Sequence, residues 1–117
     1  MISSEQIKEE YLSIINDYYP DTSRLLVHCY VKVLQFYLVG TNKNYYYLGI
    51  YYPENLGEKL IARQSIFREI AANMGLIEVV MINANRLVRD PFSKFRQEYP
   101  RFWLELTLIA SQSQLEI

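Results

Sequence analysis

The fold of this chain is decided by one stretch, residues 25–52, which reads LLVHCYVKVLQFYLVGTNKNYYYLGIYY. Two runs rich in valine, leucine and tyrosine, residues 25–39 and 45–52, flank a polar loop that contains glycine and asparagine. Runs of this composition form strands, and a short Gly/Asn loop between them is typical of an antiparallel hairpin. The stretch therefore predicts a β-hairpin around which the rest of the domain is organised.

The first of these two strands has a pattern that changes partway along. Up to Val33 the valines share one face and more polar residues take the other, whereas beyond it Leu34 and Phe36 are apolar where polar residues are expected. Successive strand residues point to opposite faces, so a pattern that changes face without a turn favours a β-bulge. We therefore predict a bulge near residues 33–35, or a strand that is buried on both sides at that end.

The second strand is the part of the chain richest in tyrosine. Six of the eleven tyrosines lie between Tyr37 and Tyr52. Alternation puts Leu48 and Ile50 on the core side. The opposite face carries Tyr45, Tyr47 and Tyr51. Because tyrosine is enriched both in interfaces and in ordinary strands, this row predicts a surface for a partner, with plain sheet packing as the alternative.

Two longer helices are predicted, one on each side of the hairpin. The first covers residues 4–19, where isoleucine and tyrosine recur at helical spacing behind a cap at Ser3 or Ser4. The second covers residues 55–74 and ends at Gly75, which suits a left-handed helix terminator. Both have an apolar stripe, so both are expected to pack against the sheet.

The remainder of the chain is predicted to supply two more strands and a short helix. Residues 76–82 are almost continuously apolar, which is typical of an interior strand. Residues 90–99 begin with aspartate and proline, a good opening for a short helix. Residues 101–110 alternate between apolar and polar, which predicts a last strand with Trp103 on its outward side.

The predicted order of elements is thus α-β-β-α-β-α-β. Two helices of this length cannot cover both faces of a sheet of about four strands. The economical arrangement is a mainly antiparallel sheet with the helices packed on one face. A chain of 117 residues has the size of one domain. The sequence therefore predicts a single α+β domain over residues 1–117.

Composition and charge narrow the class of protein. Half of the residues are apolar, 21% are charged, one is cysteine, and the net charge is −1. This is globular composition, and it gives no strong field that would attract nucleic acid or an anionic membrane. The apolar runs are shorter than the ~20 residues of a membrane-spanning helix. A cytoplasmic protein without a membrane segment is the expectation.

No constellation of a familiar chemistry is visible in the sequence. His28 and Cys29 are the single histidine and the single cysteine, and as strand neighbours they would point to opposite faces, which disfavours a Cys–His couple. Two such ligands are too few for a structural zinc site, and neither a calcium loop nor a phosphate-binding glycine loop is present. We therefore predict no catalytic, metal or cofactor site, with a small enzyme built on one carboxylate pair as an alternative.

Charge is distributed unevenly along the chain. Residues 1–24 carry five carboxylates against two cations, and residues 83–103 carry five cations against two carboxylates. The basic side chains of the second segment are Arg86, Arg89, Lys94, Arg96 and Arg101. A cluster of this kind either contacts the phosphates of a nucleic acid or forms a solvated helix face. The two segments either face each other, within the fold or across a dimer, or lie apart in solvent.

Together these patterns favour a protein-interaction module over an enzyme. The partner-binding surface is predicted at Tyr45, Tyr47, Tyr51 and Trp103, and a homodimer is the expected assembly. A nucleic-acid accessory protein that uses residues 86–101 is the alternative function. No motif identifies a family. In element order alone, the chain is similar to small secretion chaperones and immunity proteins, which bind one protein partner through a sheet face.

Overall fold

The computed structural model of the chain describes residues 3–41, 43–90 and 94–115. The elements are α1 Ser4–Tyr18, α2 Pro20–Leu26, β1 Tyr30–Leu38, β2 Lys43–Tyr52, α3 Gly57–Ile61, α4 Gln64–Asn73, β3 Val79–Asn83, α5 Ala84–Arg89, α6 Phe95–Glu98 and α7 Pro100–Leu115. A turn of 3₁₀ helix, Glu54–Leu56, precedes α3. The predicted α+β class is confirmed, but in the described residues the sheet has three strands and not about four.

The first helix forms where the sequence predicts it. Ser3 is its N-cap, and its hydroxyl accepts a hydrogen bond from the backbone N–H of Gln6. The side chain of Gln6 accepts from the backbone N–H of Ser3, which completes a capping box. On the buried side, the Tyr11 hydroxyl donates to the carbonyl of Phe67 in α4 at 3.0 Å, which ties the two helices together.

The first strand begins later than predicted because residues 25–29 belong to a helix and a turn. α2 begins at Pro20, and at the first position of a helix the backbone N–H has no hydrogen-bond acceptor within the helix, so proline is well tolerated there. Asp21 stands in the first turn of α2, and Leu26 is buried at its end. Pro20 therefore ends α1 and also starts a second helix, which the sequence analysis did not predict.

β1 and β2 form the predicted antiparallel hairpin without any interruption. The register runs from Tyr30, which faces Tyr51, to Leu38, which faces Lys43. Every residue of β1 has one partner on β2, so the predicted bulge near residues 33–35 is wrong. The change of pattern has another cause, which is that the second face of the hairpin is itself apolar.

The loop of the hairpin is shorter than the predicted residues 40–44, because β2 already begins at Lys43. Gly40 has a φ of 98°, a left-handed conformation that glycine adopts without a steric penalty. Asn42, which the prediction also placed in this loop, lies outside the described residues.

β3 joins the sheet beside β2 and in parallel with it. Leu48 pairs with Val79, and Tyr52 pairs with Asn83. The strand order is β1-β2-β3, so β3 lies at the edge of the sheet and not in its interior as predicted. The chain between β2 and β3 crosses over through α3 and α4, as a parallel pairing requires. The sheet is therefore mixed, which corrects the predicted mainly antiparallel arrangement.

The predicted helix over residues 55–74 forms as two shorter helices, α3 and α4, with Ala62 and Arg63 in the turn between them. Gly75 has a φ of 82°, the left-handed conformation predicted for the end of this segment. The stripe predicted to be buried consists of Leu60, Phe67, Ile70, Ala71 and Met74; the first four are buried and Met74 is half-buried. The break does not disturb this stripe, so both helices pack against the sheet.

Residues 101–110, predicted as a fourth strand, lie within α7. Leu106 and Ala110 are buried, whereas Leu104 and Leu108 are 58% and 64% exposed. An apolar residue at every second position contains two series with a spacing of four, and in a helix these two series fall on opposite sides. The prediction of a fourth strand is therefore wrong. The helix predicted over residues 90–99 is represented by α6, while residues 91–93 lie outside the described ranges.

Helices cover both faces of the sheet and not one face as predicted. The α1 layer consists of α1, α3 and α4, and its core includes Tyr11, Ile15, Leu48, Ile50, Leu60 and Phe67. The α7 layer consists of α5 and α7, and its smaller core contains Tyr51, Ala84, Leu106 and Ala110. Because the last segment is a helix, the chain has enough helices to cover part of the second face.

Candidate protein-interaction surface

The tyrosine row lies on the sheet face that points toward the α7 layer, which we call the aromatic face. It is formed by alternate residues of the three strands. These are Tyr30, Lys32, Leu34 and Phe36 of β1, Tyr45, Tyr47, Gly49 and Tyr51 of β2, and Val80 and Ile82 of β3. On the opposite face of β2, Leu48 and Ile50 are fully buried.

α7 covers one half of the aromatic face. The ring of Phe102 packs edge-on against Tyr51, with 5.0 Å between the centroids, and lies 5.3 Å from the ring of Tyr30. Tyr51 is 6% exposed. Burial, together with the neighbouring hydroxyls of Tyr47 and Tyr30, raises the pKa of Tyr51. Tyr51 therefore belongs to the core of the α7 layer and not to the accessible surface.

Lys32 marks the boundary between the covered half and the open half. Its Nζ lies 4.5 Å from the centroid of the Phe102 ring, a favourable cation–π distance. Gly49 stands beside Lys32 on β2, and a Cβ there would lie 3.2 Å from Cε2 of Tyr51 and 3.6 Å from Cδ1 of Leu34. The missing side chain thus leaves room for Tyr51 and Leu34 to close the face at this point.

Beyond Lys32 the aromatic face is open. We call this region the open patch; it consists of Leu34, Phe36, Tyr45, Tyr47 and Val80. The ring of Phe36 stacks on Tyr45 with 5.6 Å between the centroids, and it lies 6.0 Å from the ring of Tyr47. In the described part of the chain, neither hydrophobic core includes any of these five side chains. The four residues on β1 and β2 are half-buried, and Val80 is 38% exposed. Accessible apolar patches mark sites of protein interaction.

Two of the residues in the open patch could have been found from the sequence. The alternation that puts Tyr45 and Tyr47 on this face, applied to β1, also puts Leu34 and Phe36 there. The predicted alternatives at this end of β1 were a bulge and a strand buried on both sides, and neither placed these two residues opposite the tyrosines. Val80 required the parallel pairing of β3, which no local pattern indicates.

Trp103 lies on α7, since the strand predicted to carry it does not exist. Its side chain is half-buried, and the guanidinium carbon of Arg96 lies 5.1 Å from its ring centroid. The residues predicted to bind a partner are therefore divided among three places. Tyr45 and Tyr47 lie in the open patch, Tyr51 in a core, and Trp103 on a helix.

The five basic residues predicted as the alternative anion contact are spread over several elements. Arg86 and Arg89 lie on α5, and Nη2 of Arg89 is 3.2 Å from Oε1 of Glu54. The other three, Lys94, Arg96 and Arg101, lie before α6, on α6 and in the first turn of α7. Arg89 and Arg96 are thus already engaged within the chain, one by a carboxylate and one by an aromatic ring.

His28 and Cys29 lie in the turn between α2 and β1, so the prediction that they are strand neighbours is wrong. The thiol of Cys29 packs at the edge of the main core and donates to the carbonyl of Leu25 at 3.5 Å. Burial raises the pKa of Cys29 to about 12, so the thiol stays protonated at neutral pH. His28 is exposed, and its Nδ1 lies 3.0 Å from Oε1 of Gln112.

Across residues 3–41, 43–90 and 94–115, no group of three or more histidine, cysteine, aspartate or glutamate side chains is placed to hold a metal ion. In the same ranges, no helix is both long enough and apolar enough to cross a membrane.

No protein-family model matches the chain, and no curated protein or solved structure was found to be similar to it. The roles of its residues are therefore assigned from geometry and chemistry alone.

Proposed function

We propose that this chain is a non-enzymatic protein-interaction module that acts in the cytoplasm as a homodimer, with the open patch buried between the two copies. The observation that carries this proposal is the aromatic cluster in which Phe36 stacks on Tyr45 and lies tilted against Tyr47, a cluster that neither core includes. Stacked rings offer a large contact area at low entropic cost, which is why they are enriched at the centres of interfaces.

A two-fold dimer suits the position and the chemistry of the open patch. In such a dimer the same residues meet on both copies, so the patch must be complementary to itself, as rings and aliphatic side chains are. β1 is an edge strand, so Leu34 and Phe36 lie where a second copy has access. The single free thiol, Cys29, fits a reducing compartment and supports the cytoplasmic setting.

The double substitution Tyr45→Ser with Tyr47→Ser tests the proposal, since it removes both tyrosines of the patch. We expect the wild-type chain to sediment at about twice its mass of 13.9 kDa and the double variant at the mass of one chain. Loss of two central anchors should raise the dimer dissociation constant at least about tenfold. Sedimentation equilibrium over a wide concentration range measures this constant, and far-UV circular dichroism verifies that the variant is folded.

Tyr37→Ser is the matched control for this experiment. Tyr37 is on β1 and is 52% exposed, but it points to the face opposite the open patch, so its substitution should leave the mass unchanged. The proposal fails if the wild-type chain is monomeric over the whole range. It also fails if the folded double variant retains the wild-type mass.

A further inference from the structure

A second accessible apolar surface lies on the α1 layer, on the other side of the sheet from the open patch. It is a groove of about 860 Å³ between α1 and α4, which we call the α1–α4 groove. Its apolar lining is formed by Ile7, Ile14, Tyr18, Tyr46, Ile70 and Met74. Four of these, Ile7, Ile14, Tyr46 and Met74, also pack against the main core, so the floor of the groove is an accessible extension of that core.

The α1–α4 groove has the length of a short helix. Along α1 its wall runs from Ile7 through Ile14 to Tyr18, which is about 16 Å at the rise of an α-helix. On the opposite wall, Ile70 and Met74 are separated by four residues and so lie on the same side of the α4 segment. Tyr18 is 75% exposed, which leaves an aromatic ring accessible at one end. A helix of about three turns fits along this surface.

The rim of the groove is acidic. Glu10 lines it, and Asp17, seven residues later, falls on the same side of α1. On α4, Glu69 lies one turn before Asn73, which also lines the groove. All three carboxylates are exposed, and within the described part of the chain none of them has an ion-pair partner. The described lining contains no lysine or arginine.

We propose that the α1–α4 groove docks an amphipathic helix of a protein partner, one whose stripe of leucine, isoleucine or methionine is flanked by lysine or arginine. The apolar stripe fills the groove, and the flanking cations meet the carboxylates of Glu10, Asp17 and Glu69. This is the helix-in-groove mode of recognition, in which residues spaced three and four apart act as anchors. The same rim repels an anionic lipid surface.

In the part of the chain that the structure describes, α7 is the helix of a second copy that exposes leucines, and it does not fit that description. Its exposed leucines, Leu104 and Leu108 on α7, are accompanied by one cation, Arg101, and one carboxylate, Glu105, so this stripe carries no excess positive charge. The site is also on the opposite layer from the open patch. It can therefore be occupied whether or not the proposed homodimer forms.

Synthetic peptides of opposite charge test the proposal on the full chain. The first peptide is an amphipathic helix of about 16 residues made of leucine and lysine, and the second has glutamate in place of lysine. By fluorescence anisotropy, we expect saturable binding of the basic peptide that weakens as salt is added. The acidic peptide should bind at least about tenfold more weakly. Changes in amide chemical shift should map to α1 and α4.

Two neighbouring charge reversals provide a matched pair of variants. Glu10→Lys changes a carboxylate that lines the groove, whereas Glu9→Lys makes the same change at an exposed position pointing away from it. We expect Glu10→Lys to weaken binding of the basic peptide about three- to tenfold, and Glu9→Lys less than about twofold. Because both variants have the same net charge, the difference isolates the position of the charge.

Tyr18→Ser separates a partner helix from a second copy as the occupant. We expect this substitution to weaken binding of the basic peptide without changing the mass of the assembly measured by sedimentation. A lower sedimentation mass would mean that a second copy fills the groove, and it would overturn the proposal. Four other results would also overturn the proposal. Two concern the peptides: no binding of the basic peptide at low salt, or equal affinity for both peptides. The other two are equal effects of the two lysine variants and chemical-shift changes that lie away from α1 and α4. The double variant Tyr45→Ser with Tyr47→Ser must bind the peptide as the wild type does.

Discussion

Cys29 shows how the position of a side chain sets its chemistry. The residue directly precedes the first strand, and its thiol packs at the edge of the main core. Burial there raises the pKa of the thiol to about 12 from an ordinary value of 9.0. The thiolate is the reactive form of cysteine, so the folded chain holds this thiol in its unreactive state. A reactive Cys–His couple was disfavoured from the sequence for a different reason, a strand that does not include Cys29.

The raised pKa predicts a loss of stability at alkaline pH. Between pH 9 and about 12, the unfolded chain gives up the Cys29 proton while the folded chain retains it, so the free energy of unfolding falls as pH rises through this window. Cys29→Ala removes this contribution. Urea denaturation at pH 8 and pH 11 should show a loss that is smaller in Cys29→Ala by about 2 kcal/mol. An equal loss in both proteins would contradict the prediction.

At the scale of the element, α7 shows why alternation alone does not identify a strand. Its residues Phe102, Leu106 and Ala110 face the sheet, while Leu104 and Leu108 face solvent. Both series were read as one strand face, because apolar residues at every second position fit a strand and a helix with two apolar sides equally well. Three of the residues 101–110 are leucine, which has a high helix propensity and so favours the helix.

Alanine substitutions along α7 distinguish the helix from the strand. Leu106→Ala removes a fully buried side chain and should lower the free energy of unfolding by about 2–5 kcal/mol. Leu104→Ala and Leu108→Ala remove exposed side chains and should change it by less than about 0.5 kcal/mol. Chemical denaturation of the three variants measures these values. Three similar losses would mean that all three leucines are buried, as the strand prediction required.

The elements predicted correctly are those whose signals are local. The capped start of α1, the hairpin of β1 and β2, and Gly75 each depend on residues close together in sequence. Two features required information that local patterns do not contain: the parallel pairing of β3 with Leu48 and its neighbours, and the covering of Tyr51 by α7. The open patch was predicted only in part for the same reason. Its tyrosines follow from the alternation along β2, whereas its extent depends on how far α7 covers the sheet.

At the scale of the whole molecule, one sheet separates two layers of opposite charge character. The acidic first helix lies on the α1 layer, and the basic residues of α5 and α7 belong to the other layer. Arg86, Arg89 and Arg101 therefore lie across the sheet from the acidic first helix. β2 is the central strand and contributes Leu48 and Ile50 to one core and Tyr51 to the other.

This arrangement predicts which backbone amides are best protected. Because β2 is paired on both sides and buried by both cores, its amides should open only when the whole domain unfolds. Native-state hydrogen exchange should show β2 as the slowest segment, with the outer edge of β1 and the ends of α7 exchanging faster. Exchange of the β2 amides at the same rate as those of α7 would contradict this prediction.

The contact between Phe102 and Tyr51 also has a consequence for how the chain is made. A ribosome completes the hairpin about 50 residues before it reaches the ring that shields Tyr51. During that interval, the tyrosines of the aromatic face and an unpaired strand edge of the growing polypeptide are not yet covered by α7. Nascent chains in this condition aggregate readily and are bound by holdase chaperones. α7 thus acts late in biosynthesis, as an intramolecular shield for the hairpin that precedes it.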